Sequence, residues 1–145
     1  MITNEVQHRA TRAHLAKFEE AIANLEGQAS GASDKKRRAL ELGALRSQAA
    51  DLEAELAEYE LLRSGQLTSF EAHSLAQLAD ALVKARIAKG WTQRQLADAL
   101  GVAEQQIQRY ESTGYGAASL ARLCDIADAL GTEVREVVSL SPDAA

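Results

Sequence analysis

Apolar residues recur at steps of three and four along the first 64 residues, and this spacing predicts two long amphipathic helices. Thr3 or Asn4 is a suitable cap for the first helix, and Ser33 or Asp34 for the second. A stretch rich in Gly and Ser separates the helices, so we expect them to fold back as an antiparallel hairpin. Both carry an apolar seam with heptad spacing, and such seams pair with a second copy. The predicted seam between copies consists of Leu15, Phe18, Ile22, Leu42, Leu45, Leu52, Leu56 and Tyr59.

Shorter amphipathic segments follow in the second half of the chain. Ser74 and Thr92 each stand three positions before a Gln, which is the capping-box pattern of a helix start. Gly90 and Gly131 stand where the periodicity stops, and Gly favours a helix end. The apolar residues near the C-terminus fit either a last helical turn or a strand. The predicted divisions of the chain are a hairpin (1–64), a connector (65–74), a compact domain of four to five helices (75–131) and a C-terminal tail (132–145).

Composition favours helices over sheets. Aromatic residues make up 4% of the 145 residues, while Ala, Leu, Glu and Gln dominate. The single Pro, Pro142, lies in the tail, so no proline interrupts the predicted helices. The predicted fold class is therefore all-α, with an N-terminal helical hairpin or coiled coil followed by a compact helical domain.

The segment from Thr92 to Glu111 reads TQRQLADALGVAEQQIQRYE and combines two short helices with a tight corner. The chain leaves the first helix at Gly101, because Gly adopts the left-handed conformation without steric cost, and the second begins near Glu104. Two short helices joined at a glycine corner describe a helix-turn-helix. The motif consists of Thr-Gln, two residues, Leu-Ala, two residues and Leu-Gly-Val, followed by Ile107 and Glu111. This motif closely resembles that of the lambda-repressor and Cro-like (XRE) family. The alternative is an αα-corner that binds no ligand.

The resemblance implies a lambda-repressor-like DNA-binding domain, whose second motif helix lies in the major groove of double-stranded DNA. The residues implied to read bases are Glu104, Gln105, Gln106 and Arg109. Those implied to contact phosphates are Thr92, Gln93, Arg94, Lys89, Tyr115 and Ser119. Arg86 and Glu111 match a structural ion pair of the family. Ala103 stands where relatives often carry a Ser or Thr cap, so we expect the second motif helix to be less rigid before it binds.

Charge neither excludes DNA nor argues for it. The formal net charge is −5, but residues 70–130 carry 6 basic and 7 acidic side chains, so this region is near neutral at −1. The run Lys35-Lys36-Arg37-Arg38 either touches DNA or forms a solvated first turn of the second helix. We favour the solvated first turn, since the motif that resembles a DNA reader lies elsewhere in the chain.

Other kinds of site are not indicated. His8, His14 and His73 show no metal-ligand spacing, and the lone Cys124 excludes an internal disulfide and is expected to be a small buried hydrophobe. No nucleophile–base pair or phosphate loop appears, so we expect no enzyme, no cofactor and no metal. No apolar run approaches the ~20 residues of a membrane span, and no signal peptide is present. We expect a cytoplasmic protein, bacterial or phage-encoded, without a membrane partner.

These observations predict a sequence-specific DNA-binding transcriptional regulator. The preferred form is a dimeric repressor that binds a double-stranded DNA operator, with the hairpin forming a homodimer or higher homo-oligomer. The alternative is an antitoxin, whose N-terminal region binds a partner toxin while the helix-turn-helix represses the operon of the pair. Ordered heptads favour self-association, whereas toxin-binding segments are often less regular.

Overall fold

The computed structural model describes residues 1–28, 31 and 34–140, and this part of the chain contains helices and no strand. Its helices are α1 (Glu5–Gly27), α2 (Lys35–Arg63), α3 (Leu75–Ala88), α4 (Gln93–Leu100), α5 (Glu104–Ser112) and α6 (Leu120–Leu130). The prediction of an all-α fold is confirmed. Among the described residues, no helix is long and apolar enough to span a bilayer, and no His, Cys, Asp and Glu side chains are grouped to hold a metal ion.

Helices α1 and α2 form an antiparallel hairpin. The Asn4 side chain caps α1 by accepting a hydrogen bond from a first-turn amide (2.9 Å). At the other end, Arg38 Nε donates to the Leu25 carbonyl (2.8 Å), which joins the end of α1 to the start of α2. Asp34 makes no side-chain cap bond, and Ser33, the other predicted cap, lies outside the described residues. Because α1 has 23 residues, the hairpin tip and its basic run lie about 34 Å from the start of α1.

The start signals of the shorter helices act as caps. Ser74 Oγ accepts a hydrogen bond from a first-turn amide of α3 (3.2 Å). Thr92 and Gln95 form the complete capping box of α4, with bonds of 3.1 and 2.8 Å in the two directions. Helix α5 begins after Ala103 without a side-chain cap, which is the departure that the family resemblance indicated.

One hydrophobic core joins the hairpin to the shorter helices. Ile2 and the end of α2 pack with buried residues of α3, α4, α5 and α6, so the core is continuous across residue 64. Leu56 and Tyr59, predicted above to pair with a second copy, are only 7% and 5% exposed. The prediction is wrong for these two residues, because the packing of α2 on α3 already buries them within one chain.

Two further expectations differ from the structure. Cys124 is exposed on α6, because that helix turns Ile126 and Leu130 into the core instead. In the tail, residues 132–140 form neither the helical turn nor the strand that the sequence left open. Val137 and Val138 are almost fully exposed there.

Candidate nucleic-acid interface

Helices α4 and α5 meet at a corner of defined geometry. Gly101 has a φ of 67°, in the left-handed region that the sequence predicted for it. Beyond it, the Val102 amide donates to the Ala97 carbonyl (3.0 Å), which closes the end of α4. Leu96 from α4 and Ile107 from α5 are completely buried. Because both helices share this core, the opposite face of α5 is held toward solvent.

The outward face of α5 presents polar side chains. The residues predicted to read bases are all exposed: Glu104, Gln105, Gln106 and Arg109. Gln106 donates to the Tyr110 hydroxyl (2.8 Å), and Glu104 accepts a long bond from Gln108 (3.4 Å). Gln105 and Arg109 make no side-chain hydrogen bond within the described part of the chain. Their donors are therefore available to an external acceptor.

Arg86 and Glu111 form a buried ion pair, the one that the family resemblance implied. Arg86 is 2% exposed, and its Nε and Nη2 donate to the two carboxylate oxygens of Glu111 at 2.6 and 2.7 Å. Arg86 also donates to the backbone carbonyls of Trp91 (2.6 Å) and Thr3 (2.7 Å). One guanidinium thus joins α3, the end of α5, the chain before α4 and the N-terminal segment.

Gln93 belongs to the same buried network. Its side chain is 5% exposed, its Nε2 donates to Glu111 (2.7 Å), and its Oε1 accepts from Asn4 Nδ2 (3.1 Å). The structure contradicts the phosphate contact predicted for this side chain, because both of its polar atoms have internal partners. The N-terminal segment supplies one of those partners from 89 residues away.

The other predicted phosphate contacts divide into free and engaged side chains. Arg94 is exposed and makes no side-chain hydrogen bond or ion pair with the described residues. Thr92 and Ser119 use their hydroxyl oxygens to cap α4 and α6, which leaves each hydroxyl hydrogen free to donate. Lys89 is exposed, and its ammonium donates to the Leu130 carbonyl (2.8 Å), which stabilises the end of α6; its phosphate contact stays a prediction.

Tyr115, predicted to contact a phosphate, is instead buried in the core. It is 3% exposed, and its ring stacks on that of Tyr110 with centroids 5.8 Å apart. Its φ of 58° is rare for a residue with a side chain, and the buried ring offsets that backbone cost. Its hydroxyl has no partner among the described residues. Burial, and then the Glu111 carboxylate, raise the pKa of this hydroxyl above its usual value of 10. The side chain is a core residue and does not reach a phosphate.

A groove of about 960 Å³ runs beside α5, between that helix and the first turn of α1. Gln105 and Arg109 line it, together with Gln108, which the family resemblance did not single out. Asn4 and Gln7 line the opposite side. The spacing of three residues between Gln105 and Gln108 puts both on one flank of α5, and this spacing is visible in the sequence. For Asn4 and Gln7 the sequence carried no signal, because only the folded chain brings them beside α5.

A family model described as helix-turn-helix matches residues 82–137, which run from within α3 into the tail. The match includes α4, α5, the corner between them and both members of the buried ion pair, and it covers less than half of the chain. No curated protein and no solved structure matched the chain.

Proposed function

We propose that this protein is a DNA-binding transcription regulator that acts as a dimeric, sequence-specific repressor, because residues 82–137 match a helix-turn-helix family model. The observation that carries the proposal is the outward face of α5, where Gln105 and Arg109 keep their donors free. Repression requires only that the protein occupy its operator. A reading helix packed on the shared core and a second copy would supply that occupancy.

Base recognition would come from the free side chains of α5 in the major groove. Arg109 suits the O6 and N7 acceptors of guanine, and Gln105 suits the N6 and N7 edge of adenine. A good bidentate pair of this kind contributes roughly 1–3 kcal/mol of discrimination against the wrong base. Gln106 is held by Tyr110, so it would exchange one hydrogen bond for another on binding and contribute less. Among the phosphate contacts, exposed Arg94 at the start of α4 is the strongest candidate.

Dimerisation would use the part of the seam that is not fully buried within one chain. No residue of α1 is buried, although α1 packs along α2. The seam residues that remain half-buried are Leu15, Phe18, Ile22, Leu42, Leu45 and Leu52. A second hairpin would cover this apolar surface as a four-helix bundle. Two linked reading helices then gain affinity through effective concentration, without new base contacts.

Analytical ultracentrifugation with in vitro selection tests the proposal. The full chain should sediment as a dimer at micromolar concentration and select a site with two related halves. Leu42→Glu places a charge on the half-buried seam and should shift the protein to monomer and weaken binding to the two-part site. Ala54→Glu, on the exposed opposite face of α2, is the matched control and should change neither. Circular dichroism checks that both variants keep their helices.

Two outcomes would count against this proposal. A parent protein that binds all duplexes equally would remove sequence-specific recognition. A chain that binds its selected site yet stays monomeric would remove the dimer, and would leave the hairpin to a different protein, as in the antitoxin alternative.

A further inference from the structure

The groove beside α5 has one wall that comes from the opposite end of the sequence. Gln105, Gln108 and Arg109 line it on the α5 side. Asn4, which caps α1, and Val6 and Gln7, from the first turn of α1, line it on the other side. The groove therefore continues directly from the outward face of α5, where the free donors of Gln105 and Arg109 lie.

The α1 wall is anchored firmly to the helix-turn-helix. Ile2 is 3% exposed within the shared core. The Thr3 carbonyl accepts a hydrogen bond from buried Arg86 (2.7 Å), and Asn4 donates to buried Gln93 (3.1 Å). These contacts hold the first turn of α1 in place relative to α5. The wall is thus a preformed part of the surface that α5 presents.

The chemistry of the groove suits a chain of phosphates better than an apolar partner. Its side chains include the amides of Asn4, Gln7 and Gln108, and neutral N–H groups of this kind donate readily to phosphate and sugar oxygens. Among the charged lining groups, Arg109 and Asp80 are of opposite sign, and Glu111 is neutralised by Arg86. The charges of the groove therefore nearly cancel, and its amide side chains lie beside the apolar side chains of Met1 and Val6.

The dimensions of DNA place a strand beside α5. The major groove is roughly 12 Å wide, and a helix with its side chains is roughly 10–12 Å across. A helix that fills the groove must therefore have one sugar–phosphate strand along each flank. Gln108 lies on the flank of α5 that faces the first turn of α1.

We propose that the first turn of α1 is a second DNA-contacting element, and that the strand bordering the major groove lies between it and α5. This inference rests on the proposed function, since it requires α5 to lie in the major groove. In it, Gln7 and Gln108 contact the same strand from opposite sides. The hairpin would then have two roles: its half-buried seam would pair two copies, and the first turn of α1 would contact DNA.

A lysine at position 6 tests the inference through salt dependence. Val6 is 68% exposed at the edge of the groove, so Val6→Lys would place an ammonium beside the strand without disturbing the core. Each new phosphate contact steepens the plot of log K against log salt by about 0.9. Val6→Lys should steepen the slope by this amount for each bound subunit, and it should bind DNA several-fold more tightly than the parent at low salt.

Ala16→Lys is the matched control. Ala16 is exposed on the same helix, and ten residues place it about 15 Å further along the α1 axis. This distance exceeds the Debye length of about 10 Å at 0.1 M salt, so the same added charge should leave the slope nearly unchanged. The probe is a fluorescent duplex that carries the sequence selected by the full-length parent protein.

The outcomes separate this inference from the proposed function. If Val6→Lys and Ala16→Lys bind with the slope of the parent while Arg109→Ala loses binding, α5 reads DNA and the α1 wall does not touch it. If Asn4→Ala binds more tightly than the parent and Val6→Lys does not, the first turn of α1 is a cover that DNA displaces, and the inference is wrong. If the parent binds no duplex, the proposed function fails and the inference with it.

Discussion

Arg86→Met should destabilise the whole protein, because it leaves the Glu111 carboxylate buried without its cation. In the parent, Arg86 donates to both carboxylate oxygens of Glu111 and to the carbonyls of Trp91 and Thr3. Methionine fills a similar length with apolar atoms and satisfies none of these acceptors. Only the bond from Gln93 (2.7 Å) would remain on the carboxylate.

The expected magnitude follows from the burial of both partners. Breaking one side of a buried ion pair typically costs about 3–5 kcal/mol, out of a total stability of about 5–15 kcal/mol. For a chain of this size, each kcal/mol shifts the melting temperature by roughly 2–4 °C, so Arg86→Met should melt about 6–20 °C below the parent. Because Arg86 also bonds the Thr3 carbonyl, the start of α1 should loosen together with α5.

Thermal and urea unfolding, followed by circular dichroism, measure this loss. Arg94→Ala is the control, because Arg94 is exposed and should change stability by no more than about 0.5 kcal/mol. The double variant Arg86→Met/Glu111→Leu removes both charges and should be more stable than Arg86→Met alone. Two results would refute the argument that Glu111 is left as an unpaired buried charge. One is an Arg86→Met protein with the melting temperature of the parent. The other is a double variant whose loss in free energy of unfolding equals the sum of the losses of the two single variants.

Two further predictions concern the reading helix and the buried tyrosine. Gln105→Ala and Arg109→Ala should alter base preference while the melting temperature stays within a few degrees of the parent's, and an unchanged selected sequence for both would remove them from base recognition. Tyr115→Phe should raise the free energy of unfolding by about 1 kcal/mol at pH 7, because it removes a buried hydroxyl without a described partner. Because the pKa of Tyr115 is raised in the folded state, its protonation contributes to the free energy of unfolding fully below pH 10, and this contribution is lost as the pH rises further. Tyr115→Phe should therefore flatten the fall in the free energy of unfolding above pH 10. An equally steep fall in the variant would contradict this.

The sequence by itself determined the local features of this protein. The cap of α1 by Asn4, the capping box of Thr92 and Gln95 and the corner at Gly101 all follow from interactions across three to five residues. Such interactions depend on the side chains present and on the helical period, both of which a single sequence displays. The same holds for the outward position of Gln105 and Arg109 on α5.

Other features were predicted through the family resemblance rather than from spacing. The pairing of Arg86 with Glu111 across 25 residues is one of these, and the structure brings the two side chains together with both carboxylate oxygens engaged. Periodicity would have placed each residue on a helix without saying that the two helices cross at that point.

Only the tertiary structure decided which polar groups remain free for DNA. Asn4 reaches Gln93 across 89 residues, so the Gln93 side chain is not available where the family pattern would place a phosphate. Lys89 reaches the Leu130 carbonyl across 41 residues. In the same way, the docking of α2 on α3 removed Leu56 and Tyr59 from the surface that a second copy could cover. The sequence shows how hydrophobic each side chain is and which hydrogen bonds it can form. Whether a side chain is already buried or hydrogen-bonded within the chain depends on contacts between distant segments, and these contacts form only when the whole chain packs.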